Sequence, residues 1–171
     1  MPEYLTMPTF KETLHYDGSD DDTTLTAILD AAEAYIGDPE NGILRRPVTV
    51  TEFTERFESL SDVLLRFADG ADVSAVTYLT QDNQTVPLGA IYEVIDGALS
   101  LLPGEAWPSH RSPVIVTYTA GFTTIPAPII AAGYFYAGTL YEAQSDASKM
   151  KPEMLRQLMA GMLAGYRRPT I

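Results

Sequence analysis

The groups available for chemistry are few in kind. Twenty-three Asp and Glu stand against eleven Lys and Arg, there are two histidines (His15 and His110), and cysteine is absent from the 171 residues. Without thiols, disulfide frameworks, thiol catalysis, iron–sulfur clusters and the usual structural zinc sites are excluded. Ser109-His110 is an adjacent pair. No acid is marked to orient the base and no G-x-S-x-G elbow is present, so it reads as part of a loop. Asp17-Gly18-Ser19-Asp20-Asp21 starts like a calcium loop, but the sixth position is Asp22 rather than Gly and the twelfth is Ile28 rather than Glu. No glycine-rich phosphate loop occurs. The surplus carboxylates could supply a glycosidase pair, with Trp107, Tyr118 and Phe122 as a sugar-stacking platform. Most of the acids, however, fall at helix ends and turns, and Trp107 is better read as packing on a sheet edge beside Pro103 and Pro108. A net charge of −12 argues against a general nucleic-acid binder, which needs a surplus of bases. These residues point to no cofactor, no metal and no catalytic site.

The elements that would position a site change period twice. Leu25, Ile28, Leu29, Ala32, Tyr35 and Ile36 follow one helical stripe, giving a helix over about 23–36, with Asp22 or Thr23 as N-cap and Gly37 and Pro39 ending it. From 47 to 119 the pattern is β-rich. Strands are expected near 48–57, 63–67, 75–80, 91–95, 99–102 and 114–118, separated by Asp69-Gly70, Asp82-Asn83, Asp96-Gly97 and Pro103-Gly104. Asn83-Gln84-Thr85 fits a glycosylation sequon but reads as a polar turn. Helical rhythm returns over about 128–144 and 152–164. The first of these is apolar almost all round, and a helix apolar on every side must be covered on every side. One sheet and the other helices of a single domain leave part of it for a neighbouring copy, which makes Tyr134, Phe135, Tyr136 and Tyr141 candidate subunit-interface residues. The expected fold is α+β: a single domain over 1–171 with a helical body of three main helices, an antiparallel β-rich insert over 47–119 between the first and second, and an extended C-terminal tail over 165–171.

Charge is polarised along the chain. Residues 1–42 hold ten acids against Lys11 alone, a net of −9, whereas residues 149–171 hold five bases against Glu153, a net of +4. The first twenty residues lack a signal-peptide core. The longest nearly uncharged apolar stretch, Ile125 to Tyr141, contains Pro126, Pro128 and Thr139 and is shorter than the roughly 20 residues of a spanning helix. The expectation is a soluble protein made in the cytoplasm, with no membrane partner.

The order of these pieces resembles the head–tail connector (adaptor) proteins of long-tailed phages and of phage-derived gene transfer agents. The likeness is carried by Asp20-Asp21-Asp22 leading to Ala31-Ala32-Glu33-Ala34-Tyr35-Ile36, by the turn Gly42-Ile43-Leu44-Arg45-Arg46-Pro47, and by the strand Val73-Ser74-Ala75-Val76-Thr77-Tyr78. It continues through Trp107-Pro108, the strand Val114–Phe122 ending in Tyr-Thr-Ala-Gly-Phe, Ile125-Pro126-Ala127-Pro128-Ile129, Tyr141-Glu142 and the closing Gly165-Tyr166-Arg167-Arg168. Family members usually carry an Arg shortly after the Tyr-Glu pair; here Ala143-Gln144-Ser145 follow.

The resemblance implies a non-enzymatic virion protein of the head–tail neck, assembled in the host bacterial cytoplasm. Copies would form a ring, usually of twelve, that binds the portal protein and receives a stopper or tail-completion protein. Double-stranded DNA would pass through the lumen without specific binding, and an acidic lining keeps it sliding. The basic end then becomes the portal-binding candidate. Arg167 and Arg168 can make forked bonds to carboxylates, Tyr166 and Ile171 can fill apolar pockets, and Pro169 holds the chain extended. The other readings are a different neck protein such as a stopper, or a small carbohydrate-active enzyme or sugar-binding domain.

Overall fold

The computed structural model describes residues 3–68, 71–146 and 152–167. The fold is α+β, and the chain forms two compact units: a helical one built from residues 1–49 and 122–171, and a β unit that is continuous over 50–121.

Among the described residues the helical unit has four helices, α1 (Met7–Leu14), α2 (Asp22–Gly37), α3 (Ala127–Ser145) and α4 (Pro152–Leu163). The last three match the expected spans. The first was not expected, although Thr6 at its N-cap, Pro8 in its first turn and apolar Met7, Phe10 and Leu14 on one stripe are a start signal and a period. Its eight residues are too few for a sustained pattern. The acidic run before α2 also differs in detail from the expectation. The N-cap is Asp21, whose side chain makes no capping bond, while Asp22 is ion-paired with Lys11 of α1. Carboxylates still sit at the positive end of the helix.

Helix α2 ends in a tightly wired loop. The Asp38 carboxylate accepts the backbone N–H groups of Glu40 and Asn41 at 2.8 and 2.6 Å, and Gly42 N–H donates to the Asp38 carbonyl at 2.9 Å. A Cβ on Gly42 would lie 2.6–2.8 Å from backbone atoms of Asp38 and Ile36, so only glycine fits this turn. Ile43 and Leu44 then donate back to the free carbonyls of Tyr35 and Ile36, which seats Leu44 in the core with Ile36, Val48, Ile129, Ala132, Met159 and Leu163.

The β unit holds a four-stranded antiparallel sheet in the order β1-β6-β2-β3, made of β1 (Thr51–Phe57), β2 (Asp72–Leu79), β3 (Thr85–Pro87) and β6 (Arg111–Ala120). A separate hairpin pairs β4 (Tyr92–Ile95) with β5 (Ala98–Leu101). Strand β6 is central and alternates strictly, with Val114, Val116, Tyr118 and Ala120 buried. The hairpin turns at Asp96-Gly97, both with positive φ (51° and 81°), the conformation that favours Asp-Gly in a two-residue turn. The Asp82-Asn83 turn is likewise present, with Asn83 at φ 59°. Asp69-Gly70 lies outside the described residues.

One expected strand is absent. Residues 63–67 alternate as a strand should, and Val63, Leu65 and Phe67 are buried, yet only Leu64 makes an isolated bridge, to Ala98. The backbone donors there go elsewhere: Leu65 to the Gly97 carbonyl, Arg66 to the Glu55 carboxylate, and Phe67 to the Tyr118 hydroxyl at 3.3 Å. Tyr118 Oη in turn donates to Glu55 Oε1 at 2.5 Å. Buried backbone groups must be satisfied somewhere, and here side chains of the sheet replace a ladder.

Two predictions follow from these contacts. Tyr118→Phe leaves Phe67 N–H and Glu55 each one partner short and should lower the unfolding free energy by about 1–3 kcal/mol in urea titration; an unchanged midpoint would show the network to be idle. Backbone donors from Asn41 and Glu40 hold the Asp38 carboxyl below its usual range. Because the folded-state value is depressed, its contribution is present above the ordinary aspartate range and is lost as pH falls through it. Wild type should therefore lose more stability than Asp38→Asn between pH 5 and pH 3 (about the span over which aspartates titrate), and parallel curves would refute the assignment.

Candidate functional site

The surfaces singled out by sequence lie on α3 and at the end of α4, and their geometry is set by an N-terminal clasp. Glu33, half-buried on α2, accepts the backbone N–H groups of Glu3, Tyr4 and Leu5 at 2.6, 2.7 and 2.6 Å. This seats Leu5, which is 2% exposed, against Gly133 of α3. A Cβ at position 133 would come within 2.7 Å of the Leu5 side chain, so the glycine makes the close approach possible. Helix α1 then lies beside α2 and α3, with Phe10 fully buried.

The four candidate interface residues of α3 divide. Tyr134 stacks near Phe10, with centroids 6.4 Å apart, and its hydroxyl accepts the Thr6 N–H at 2.8 Å. Tyr136 lies flat on Tyr35 at 4.2 Å, and burial together with that neighbour raises its pKa. Tyr141 packs half-buried on the α1–α2–α3 core. Phe135 alone remains largely open, 45% exposed. Part of the cover expected from a neighbouring copy is thus supplied by α1, and the open remainder is centred on Phe135.

Phe135 borders a groove of about 430 Å³, walled by Thr13 and Leu14 at the end of α1, by Tyr134, Phe135, Gly138, Thr139 and the acid Glu142 of α3, and by Met154, Leu155 and Leu158 of α4. Met154 and Leu158 are 64% and 43% exposed. Apolar surface left open in this way marks an interaction site more often than an isolated exposed side chain does. The apolar residues of α4, Leu155, Leu158, Met159, Met162 and Leu163, do not all bury. Met159 and Leu163 do bury, while the Met154–Leu158 side faces the groove; an apolar arc wider than one stripe was the available signal.

At the other end of α4 the backbone turns, with the N–H groups of Tyr166 and Arg167 both donating to the Leu163 carbonyl. Tyr166 meets the Phe122 ring edge to face at 6.2 Å, and the Arg46 guanidinium lies 4.5 Å from the Phe122 centroid. Arg46, Phe122 and Tyr166, each from a separate motif of the sequence, therefore meet in one cluster. Arg167 is exposed; Arg168, Pro169 and Ile171 lie outside the described residues.

The side chains weighed for other chemistries are held in packing and loop contacts. The His110 ring accepts the Leu60 N–H through Nε2 and contacts the Pro108 carbonyl through Nδ1, and Ser109 accepts from Gln81, so the pair fastens a loop. Tyr118 is fully buried and cannot offer a face to a sugar, Trp107 packs on the β core as expected, and Phe122 is engaged by Arg46 and Tyr166. Among the described residues no group of three His, Asp or Glu is placed to hold a metal, and no helix is long and apolar enough to cross a membrane.

No protein-family model and no curated protein matches the chain. Among solved structures it is similar to a chain of the neck of an empty gene transfer agent particle, computed with C6 symmetry, at a TM-score of 0.68 and 19% identity, over 98% of this chain and 91% of that one. The two chains share a fold. The likeness covers helices and sheet alike.

The clasp makes a direct prediction. Glu33→Ala removes the acceptor of three N–H groups and frees Leu5 to leave α3, so the unfolding free energy should drop by about 2 kcal/mol, a figure set low because the site is partly exposed. Hydrogen exchange at residues 4–10 should rise with it. Unchanged protection there would mean the segment is held by Leu5 and Phe10 alone.

Proposed function

We propose that this chain is a structural protein of a phage-like head–tail neck, and within it the adaptor: copies form a ring that docks on the portal and joins the DNA-filled head to the stopper or tail. The observation that carries the reading is the fold shared, over nearly the whole chain, with a chain of a gene transfer agent neck. The ordered motifs of the adaptor family along the sequence narrow neck protein to adaptor. An acidic chain of net charge −12 suits a passage for DNA, which like charge keeps from sticking.

In this reading α3 and the groove beside it face a neighbouring copy. Phe135 is the principal contact, and Tyr134, Tyr136 and Tyr141 hold the helix that presents it. The segment from Tyr166 to Ile171 reaches the portal. Tyr166 anchors the root of that segment on Phe122, Arg167 and Arg168 supply forked donors for carboxylates, Pro169 keeps the chain extended, and Ile171 ends it in an apolar pocket of the portal. The particle would be a phage or gene transfer agent virion, assembled in a bacterial cytoplasm.

Truncation after Tyr166 tests the portal assignment, because it spares the Phe122 contact. The shortened protein should keep the wild-type thermal midpoint while its retention on immobilised portal, and its incorporation into tailed particles, falls at least tenfold. Incorporation at the wild-type yield would remove the portal role from the tail.

A further inference from the structure

The four-stranded sheet has two faces, and the β core takes only one, the face of Val76, Val114, Val116 and Tyr118. Directly opposed residues on adjacent strands point to the same face. On the outward face the register therefore sets three rows across β1, β6 and β2: Glu52, Thr119 and Asp72; then Thr54, Thr117 and Ala75; then Arg56, Ile115 and Thr77. Glu52, Thr54, Arg56, Asp72 and Ala75 are exposed, while Ile115, Thr117, Thr119 and Thr77 are half-buried. Short side chains keep the middle of this face flat, and the middle row carries no charge.

The middle row is prepared for cover. Burying a hydroxyl is costly unless it is hydrogen-bonded. The Thr54 and Thr117 hydroxyls lie 3.4 Å apart and share a hydrogen bond, and Ser74, at the register shift of β2, donates to the Thr117 carbonyl at 3.1 Å. The charges of the end rows are complementary but cannot meet within one copy. Glu52 and Arg56 stand on the same strand, and at about 3.4 Å per residue they are roughly 14 Å apart along it, too far for an ion pair. Reversing the strand direction exchanges them. A second sheet laid face to face, related by a two-fold axis that runs across the strands along the Thr54–Thr117 row, sets Glu52 against Arg56 twice and Asp72 against Thr77. The alternative with strands parallel stacks Glu52 on Glu52 and Arg56 on Arg56, and like charges reject it.

We propose that the outward face of the sheet pairs with the same face of a second copy about a two-fold axis through the Thr117 row, oriented by reciprocal Glu52–Arg56 ion pairs. An isologous contact of this kind closes at two copies, so it is separate from any ring joint and does not rest on the adaptor reading. The face of a four-stranded sheet is small beside a standard interface, so the pairing is weak and reversible.

Charge reversal tests it. Glu52→Arg and Arg56→Glu, both at exposed positions, are made in the full chain and their thermal midpoints matched to wild type. Sedimentation is then followed up to millimolar concentration. Wild type should form a reversible dimer, and each variant alone should associate about tenfold more weakly or not at all. Their equimolar mixture should dimerise again, because the first variant is basic at both positions and the second acidic at both. Thr117→Cys, in a chain that has no other cysteine, should link to itself through a short bismaleimide, as a residue on the axis must. A monomeric wild type, single variants that pair as wild type does, a mixture that fails to recover, or Thr117→Cys that does not self-link would each overturn the proposal. All four results leave the adaptor reading standing, since that reading predicts binding to portal and not a two-fold pair.

Discussion

The exposed chemistry of the helical unit depends on one carboxylate. Glu33 gathers three consecutive backbone N–H groups, and so fixes a segment that has no helix of its own until Met7. A charged acceptor makes stronger hydrogen bonds than a neutral one, and here three of them replace the ladder or helix that an extended segment would otherwise lack. With residues 3–5 held, Leu5 enters the contact that Gly133 leaves open, and α1 becomes a lid on α2 and α3. The result converts a helix apolar on all sides into one that is covered except around Phe135. The selective exposure of Phe135 follows from how far α1 extends, since α1 ends at Leu14 and that end forms one wall of the groove.

The β unit solves a different problem. Its hairpin and the 63–67 segment are joined to the rest by donors and acceptors that are not part of the four-stranded ladder. Tyr118 is the hinge of that arrangement, since its ring fills the core while its hydroxyl serves Phe67 and Glu55 at once. A buried tyrosine with both roles ties a segment without regular structure to a regular sheet, and in doing so holds Leu64 in line with Ala98 and Ile95.

Long periodic elements were legible from the residues: α2, α3, α4, the alternation of β6 and the Asp-Gly turn of the β4–β5 hairpin all announce themselves through spacing. What escaped is whatever depends on partners distant in sequence. Alternation at 63–67 fixes which side chains bury, but the choice between a ladder and side-chain acceptors is made by Glu55 and Tyr118, and no local pattern encodes it. The eight residues of α1 form a helix because Glu33 and Gly133 make a place for them, and so short a stretch carries little periodicity of its own. For the candidate site, the apolar excess on α3 was readable, while the division of labour among Tyr134, Phe135, Tyr136 and Tyr141 required knowing that Phe10 and the Thr6 N–H were waiting for Tyr134, and Tyr35 for Tyr136.

The helical unit is built from the two ends of the chain, with the β unit running uninterrupted between them. During synthesis, which adds roughly 5–20 residues per second, the ribosome releases α1 and α2 first, then the whole β unit, and only afterwards the helix that α1 and α2 need as a partner. The β unit has every strand it requires as soon as Ala120 emerges, so it can fold while the amphipathic faces of α1 and α2 stand open for several seconds. Closure of the helical core, and with it the groove beside Phe135, is thereby deferred until α3 and α4 have been made. A nascent chain cannot form the groove before its own β unit has been made, so the Phe135 face takes shape only after every strand of the sheet is in place.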